Sequence, residues 1–487
     1  MKERAMKIAV IGGGIAGYHV INYLMKSKQQ KRITVTLFDD KTHLGRGRAF
    51  QEDDPELLLN YPSNLISLKK NKPDDFYQWV KTQSLEDIRE EGDNRDEEGN
   101  IYFSRRLFGD YVQHKMQQLT ANSNVTVITE RVSTVKRTGR RWTLTAGDKA
   151  EQFDYVFLVP GQLPALDPYR LTGTAGYIGW LYPLDQLAVH PDKTYAVIGS
   201  GLSGLDCIRY LTDKGVNTVT VASRSGQVQA VRGQMKTYRF KYFTTKTFDK
   251  IKRKHDDQLP LEELIHVFKK ECDYQGVDYA RWFNVNRSRP KEALKHDISS
   301  HKEIGGIHSI LYQMQHHGFE LWPYMTRRDK AIFLAEYEPL LKENMNPMPE
   351  SSGEELLALL EDNRTVIKGG LHHVEYKYRK YRLQYEDGTE DRVHYVINAT
   401  GPAKHIHETD AGELVETLLD DSLIAENPYG GIQVMPHDNR VISPKYGVMD
   451  NLMVLGQMTG GVNYGNNGVY ELLLEAKRVV KYFYSRL

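Results

Sequence analysis

Two short stretches constrain this chain more than anything else in it: IGGGIAGYHV (residues 11–20) and GSGLSGLDCI (residues 199–208). Each follows an apolar, β-branched run, KIAVI or TYAVI, and each leads into an amphipathic segment. The predicted order in both places is strand, tight turn, helix. Each turn fits G-x-G-x-x-G, with Gly12, Gly14 and Gly17 in the first and Gly199, Gly201 and Gly204 in the second. The first glycine of such a set permits the turn. The second lets backbone approach a pyrophosphate, and the third lets helix and strand pack closely. The phosphates then sit at a helix N-terminus, where free N–H groups and the helix dipole favour anions. The chain is therefore expected to hold two parallel βαβ units, and 487 residues leave room for roughly three domains.

The strands that follow the two turns end differently. The first, ITVTLFDD, ends in acid, and Asp39 stands where a carboxylate grips a ribose 2′-hydroxyl. The second, NTVTVAS, runs into Ser223, Arg224 and Ser225. A carboxylate there would repel a 2′-phosphate, whereas hydroxyls and a guanidinium bind one. The first turn suits a free ribose, as in FAD or NAD. The second suits NADP, although the same residues also make a polar exit from a strand. Together the turns can hold a nicotinamide donor against a flavin acceptor, with the protein supplying position and electrostatics.

Composition narrows the class without adding to it. The net charge of +1 gives no global field for nucleic acid. Cys207 and Cys272 form no C-x-x-C, so dithiol chemistry within the chain is not expected, and isolated thiols fit a reducing compartment. No apolar run is long enough to span a membrane. MKERAMKIAVIGGG enters a strand at once, without the features of a signal peptide, which leads to the expectation of a cytoplasmic protein. His316–His317 and His372–His373 are adjacent pairs with no nearby Cys or carboxylate set, so no metal site is expected. G-x-S-x-G is absent, and Cys207 reads as a packing residue on a helix.

Further stretches carry a resemblance. HLGRGRAF is similar to a glycine-rich G-x-G-x-A-Y motif, LLLNYPSNLISL to a leucine-asparagine-x-proline signature, and FSRRLFGDYV to an arginine-containing stretch ahead of a helix. VINATGP resembles an A-T-G strand end, and NLMVLGQMTGGVNYGNNGVYELLLEAKRVV a C-terminal flavin segment. Most of the chain thus resembles the two-dinucleotide-binding-domain flavoproteins, within them the family related to N-hydroxylating and other class B flavin monooxygenases. The resemblance implies that Gly12, Gly14, Ile15, Ala16, Gly17, Asp39, Arg105, Val132, Gly456, Gln457, Asn466 and Gly468 bind FAD. It implies that Gly199, Gly201, Ser203, Gly204, Ser223 and Arg224 bind NADP. Asn60, Ser63 and Asn467 become catalytic candidates: the LNYPSN loop approaches the reactive face, and N–H groups at Asn466 and Asn467 stabilise negative charge on the reduced ring. Asparagine and serine also simply form turns. Two departures stand out. LVPGQ (158–162) puts proline before Gly161, and in YIGWLYP Pro183 stands where the F-x-G-x-x-x-H fingerprint has histidine, which counts against a Baeyer–Villiger assignment.

The expected fold class is α/β: two Rossmann-like dinucleotide-binding domains, with the FAD domain discontinuous and the NADP domain inserted. Residues 1–165 and 396–487 make the FAD domain, 166–231 the NAD(P) unit, and 363–395 its return strands. Segments such as LEELIHVFKKECD and GIHSILYQMQHH make 232–362 a helical insertion, a lid or substrate wall. DGT at 387–389 is a hairpin signal. Beyond the two turns no internal repeat is visible. The basic, aromatic stretch 232–255 suits anionic lipid or an acidic substrate, or a solvated helical surface. The expected protein is an FAD-dependent, NADPH-using oxidoreductase that hydroxylates a small substrate, with an amine as one candidate. The alternatives are an NADPH-dependent reductase of a small organic acceptor and a flavin-binding redox sensor without turnover.

Overall fold

The computed structural model describes residues 4–487 apart from 85–87, 89–93 and 97. Its strands are β1 (Met6–Ile11), β2 (Ile33–Phe38), β3 (Val125–Ile128), β4 (Val132–Thr138), β5 (Arg141–Ala146), β6 (Lys149–Phe153), β7 (Tyr155–Leu158), β8 (Tyr177–Ile178) and β9 (Tyr195–Ile198). They continue with β10 (Val219–Ala222), β11 (Thr365–Lys368), β12 (Leu371–Lys377), β13 (Lys380–Tyr385), β14 (Glu390–Val393), β15 (Tyr395–Asn398), β16 (Arg440–Ser443) and β17 (Gly447–Val454). The first sheet runs β3-β2-β1-β7-β17-β16, parallel except at its β16 edge. The second runs β11-β10-β9-β15-β8 and is parallel throughout. Parallel sheets need both faces covered. One face of the first packs on the helices Ile15–Lys26, Arg105–Thr120 and Val469–Ser485, and Trp142, Phe153 and Leu418 belong to the core on the other.

The expectation that no repeat exists beyond the glycine turns is not met. Antiparallel three-stranded meanders, β4-β5-β6 and β12-β13-β14, stand ahead of β7 and β15 respectively. The two units are thus built alike. The atomic register repeats as well: Gly12 N donates to Phe38 O (2.8 Å) and Val159 N to Ile11 O (2.8 Å), while Gly199 N donates to Ala222 O (2.9 Å) and Ala399 N to Ile198 O (2.8 Å). The repeat escapes sequence inspection because a meander needs only alternation, which many residue sets satisfy. Asp387 caps the DGT turn, its Oδ1 accepting from Thr389 N and Oγ1.

Between β10 and β11 the chain runs through successive helices from Thr245 to Glu361. They carry their own cores, one around Phe243, Phe248 and Trp322, the other around Ile304, Ile307 and Ile310. The segment leaves and rejoins the second unit side by side: Arg232 N donates to Met348 O and Met348 N to Ala230 O, each at 2.8 Å. Trp322 anchors it to the C-terminal segment. Its Nε1 donates to Gly461 O (3.0 Å) and its ring stacks on Tyr464 at 4.7 Å. Such an aromatic pair adds about 0.5–1.5 kcal/mol beyond its area. Among the described residues, no helix is long and apolar enough to cross a membrane.

Candidate functional site

The first glycine turn is shaped partly by the chain and partly by space left open. Gly12 has φ +113°, and a Cβ there would fall on the carbonyl of Val159. A Cβ on Gly17 would fall on the carbonyl of Gly12. Gly199 (φ +114°) and Gly204 repeat this against Ala399 and Gly199. These four glycines are explained by packing alone. Gly14 and Gly201 are different: their φ values, −74° and −82°, suit any residue. A Cβ would meet nothing of the chain closer than 3.5 Å at Gly14 and 4.0 Å at Gly201. Both are helix N-caps without a side-chain cap hydrogen bond, which leaves first-turn N–H groups of the helices at Ile15 and Leu202 open. Bare backbone at an uncapped helix start fits a pyrophosphate.

The Asp39 carboxylate lies in the turn, accepting from Gly13 N (2.7 Å) and Asp40 N (2.8 Å). Burial raises its pKa, against the pull of those two N–H groups. Beside it Arg131 donates twice to Asp40 Oδ2 (2.9 and 2.7 Å). That brings the start of β4 to this end of β2. The Val132 side chain is buried in the core, so only its backbone can face a ligand here. The 43–47 loop closes over the turn: Gly45 N donates to Gly13 O (2.9 Å), and Gly47 lies against Gly14. Gly456, with φ +83°, faces Ala16, which brings the C-terminal segment to the same helix start.

That segment, with Gln457 in its first turn, rests on a buried polar network. Glu475 accepts from Gly456 N (2.9 Å), Asn439 Nδ2 (2.6 Å), Thr459 Oγ1 (3.1 Å) and Asn463 Nδ2 (3.2 Å). Burial raises the Glu475 pKa, with Arg478 opposing. The Asn466 side chain is spent here too, donating to Gly456 O (2.7 Å) and Thr459 Oγ1 (2.9 Å). Asn467 is exposed instead, and Gly468 caps the last helix.

A cleft of about 1500 Å³ joins the second turn to the 60–61 loop and the start of the last helix. Gly199, Gly201, Ser203, Ser223 and Arg224 line it together with Asn60, Tyr61, Asn467 and Gly468. Ser223 Oγ lies 3.1 Å from Ser200 Oγ, and Arg224 is exposed with no ion pair among the described residues. The insertion contributes Tyr312, Gln315, His316, Glu338 and Lys342 as walls. Lys404 and Tyr464 both reach Glu338, at 3.4 and 3.0 Å. Arg105 also lines the cleft. Its guanidinium pairs with Asp206 (2.5 Å), lies over Tyr182 at 4.7 Å and leaves Nε without a partner.

Ser63 does not fulfil its expected place. It is fully buried, and its Oγ accepts from Phe103 N (3.0 Å), holding the LNYPSN loop from behind. Asn60 is in the cleft, with its carbonyl accepting from the Arg232 guanidinium (2.6 Å). Sequence reasoning missed Tyr61 and Tyr312, stacked at 4.7 Å, and the pair His316–Glu471 (2.7 Å). One signal was present: glutamate three places after the N-cap Gly468 is half of a capping-box pattern. His317 pairs with Glu320 instead, so the adjacent histidines diverge. Cys207 and Cys272 are both fully buried, in separate cores, and burial raises both thiol pKa values, that of Cys272 to about 12.

Residues 9–163 match the model of a family described as FAD-NAD(P)-binding, so the chain carries an FAD-NAD(P)-binding domain over that span. Comparison by sequence with curated proteins finds no match. Among solved structures, L-lysine 6-monooxygenase from Pseudomonas syringae is similar, with a TM-score of 0.61 at 13% identity over 99% of this chain and 100% of that one. The ornithine N-hydroxylase of Kutzneria sp. 744, described with reduced FAD, NADP+ and L-ornithine, gives 0.59 at 12% over 99% of each. Bacillithiol disulfide reductase from Bacillus cereus gives 0.52 at 11% over 99% and 100%. At these identities the likeness is one of fold, shared over nearly the whole length of each chain.

Proposed function

We propose that this chain is an FAD-dependent, NADPH-using oxidoreductase of the monooxygenase-like kind, hydroxylating a small substrate. One observation carries the reading: a single cleft is lined by the second glycine turn with Ser223 and Arg224, and by Asn60, Asn467 and Gly468. FAD, when bound, supplies a two-electron carrier between a nicotinamide hydride and dioxygen or another acceptor. The first-turn N–H groups around Gly14 would hold its pyrophosphate, Asp39 would bind its ribose, and the 456–468 loop would border the rest of the group. Ser203 and the open helix start at Gly201 hold the NADPH pyrophosphate. Arg224 pairs with the 2′-phosphate. The insertion walls the cleft with Tyr312, Gln315 and Glu338 and keeps bulk water from the reacting atoms. The structural neighbours that hydroxylate ornithine or lysine lend support to a small amine as the substrate.

The test is coupling. NADPH consumption in air is compared with hydroxylated product across a panel of small primary amines. Product formed in near-stoichiometric yield supports the oxygenase reading. Consumption without product for any amine, with fast turnover restored by a quinone, supports the reductase and removes hydroxylation.

A further inference from the structure

His316 caps the C-terminal end of the helix His301–Gln315 and lines two spaces. One is the cleft of about 1500 Å³, the other a cavity of about 430 Å³ walled by Phe240, Phe243, Thr245 and Lys246. Its Nδ1 lies 2.7 Å from Glu471 Oε1. Glu471 sits in the first turn of the last helix, its other oxygen folded back to Gly468, the residue that borders the cleft beside Asn467. The ring packs against two tyrosines, edge-to-face with Tyr312 at 4.8 Å and tilted against Tyr470 at 4.5 Å between ring centres. Its Nε2 makes no hydrogen bond among the described residues. A histidine whose Nδ1–H is held by a carboxylate keeps one tautomer and orientation and offers Nε2 for proton transfer.

We infer that His316, oriented by Glu471, is the catalytic residue that delivers the proton each turnover consumes. The inference rests on the oxidoreductase reading and deepens it. In hydroxylation, one NADPH, one proton, one dioxygen and one substrate give NADP+, hydroxylated product and water. The O–O bond breaks, and the oxygen that leaves as water takes the proton from His316 Nε2, forming an O–H bond. The hydride supplies the two electrons. With an organic acceptor the same proton ends on the reduced acceptor. The ring regains its proton from solvent through the smaller cavity. The ionisable groups facing the ring are Glu471 and Tyr470 from the last helix, Tyr312 from its own helix with Tyr61 behind it, and Lys246 across the smaller cavity. His317 adjoins it in sequence but is engaged by Glu320.

The test separates two half-reactions. In His316→Asn, anaerobic reduction by NADPH should stay within about threefold of the parent, while acceptor-linked turnover falls roughly 100-fold or more, the usual range for a lost general acid. His316→Gln serves equally if the first variant folds poorly, and His317→Asn should turn over like the parent. In Glu471→Gln acceptor-linked turnover should fall as well, with anaerobic reduction by NADPH unchanged, because the carboxylate that orients the ring is gone. A readout without turnover is ¹⁵N-histidine NMR, with His316→Asn assigning the signal. The parent should show the Nδ1–H tautomer, and Glu471→Gln should shift the population toward the Nε2–H tautomer. A parent that is reduced and turns over, matched by both His316 variants, overturns the proton role alone. So does a tautomer population unmoved in Glu471→Gln. A parent whose flavin NADPH does not reduce sinks the oxidoreductase reading and this inference with it.

Discussion

Replacing Gly14 and Gly17 by alanine, one at a time, separates ligand approach from folding at the first turn. At Gly17 the new Cβ would fall on the carbonyl of Gly12. Backbone cannot yield cheaply there, so overpacking should cost about 1–3 kcal/mol or more. At Gly14 the nearest atom of the chain is 3.5 Å away, and φ of −74° and ψ of −164° suit alanine. Losing a glycine N-cap costs about 0.5–1 kcal/mol. Lower entropy of the unfolded chain returns about 0.4–1 kcal/mol. Gly14→Ala should therefore leave the stability of flavin-free protein within about 1 kcal/mol of the parent. FAD binding should respond in the opposite sense. The methyl group would project against Gly47 and narrow the gap between the turn and the 43–47 loop, so that one or two charged hydrogen bonds to a pyrophosphate at the helix start are lost. At about 1.5–3 kcal/mol each, Kd rises roughly 10- to 150-fold per bond. The assays are thermal melts of flavin-free protein and fluorescence titration with FAD. If Gly14→Ala binds FAD within about threefold of the parent, the turn does not hold a pyrophosphate and the site argument fails.

Two further outcomes follow from buried groups outside the cofactor turns. His19 is fully buried with neither ring nitrogen hydrogen-bonded, and burial lowers its pKa from 6.5 to about 3. The unfolded chain then binds a proton the native chain does not, so stability is intact above pH 6.5 and falls as pH drops toward 3, by about 1.4 kcal/mol per unit. His19→Leu should lose that component, giving urea melts whose advantage over the parent grows from pH 6.5 downward; equal pH dependence would refute it. Glu475→Ala should cost about 3–5 kcal/mol, since it strips the acceptor from several buried donors and from the Arg478 charge. It should also lower flavin occupancy, because Gly456 N is among those donors; a variant with parental melting and full flavin content would contradict that role.

What was legible in the sequence was local. Gly12 and Gly17 are required by contacts within one turn, and spacing reports them. Helical periodicity revealed the long 232–362 segment without revealing what it packs on. Pairings between distant residues were not legible: Arg105 meets Asp206 across 101 positions and His316 meets Glu471 across 155. Each partner alone reads as a solvated charge. Direction was equally hidden. Ser63 and Asn60 lie in one short motif, yet one points into the core and the other into the cleft. The Glu475 network was invisible because its asparagines read as turn formers around Gly456.

Flavin on the first turn and NADPH on the second must meet across the cleft that the second turn shares with Asn60, Asn467 and Gly468, close enough for hydride transfer. Anaerobic stopped-flow mixing of the flavin-loaded protein with NADPH or NADH tests it directly. NADPH should bleach the flavin band, and faster than NADH at equal concentration. In Arg224→Ala the NADPH concentration for half-maximal rate should rise roughly 10- to 150-fold, with the limiting rate little changed because the 2′-phosphate is remote from the hydride. A flavin that NADPH leaves oxidised, or one that NADH reduces better in the parent protein, would contradict the account.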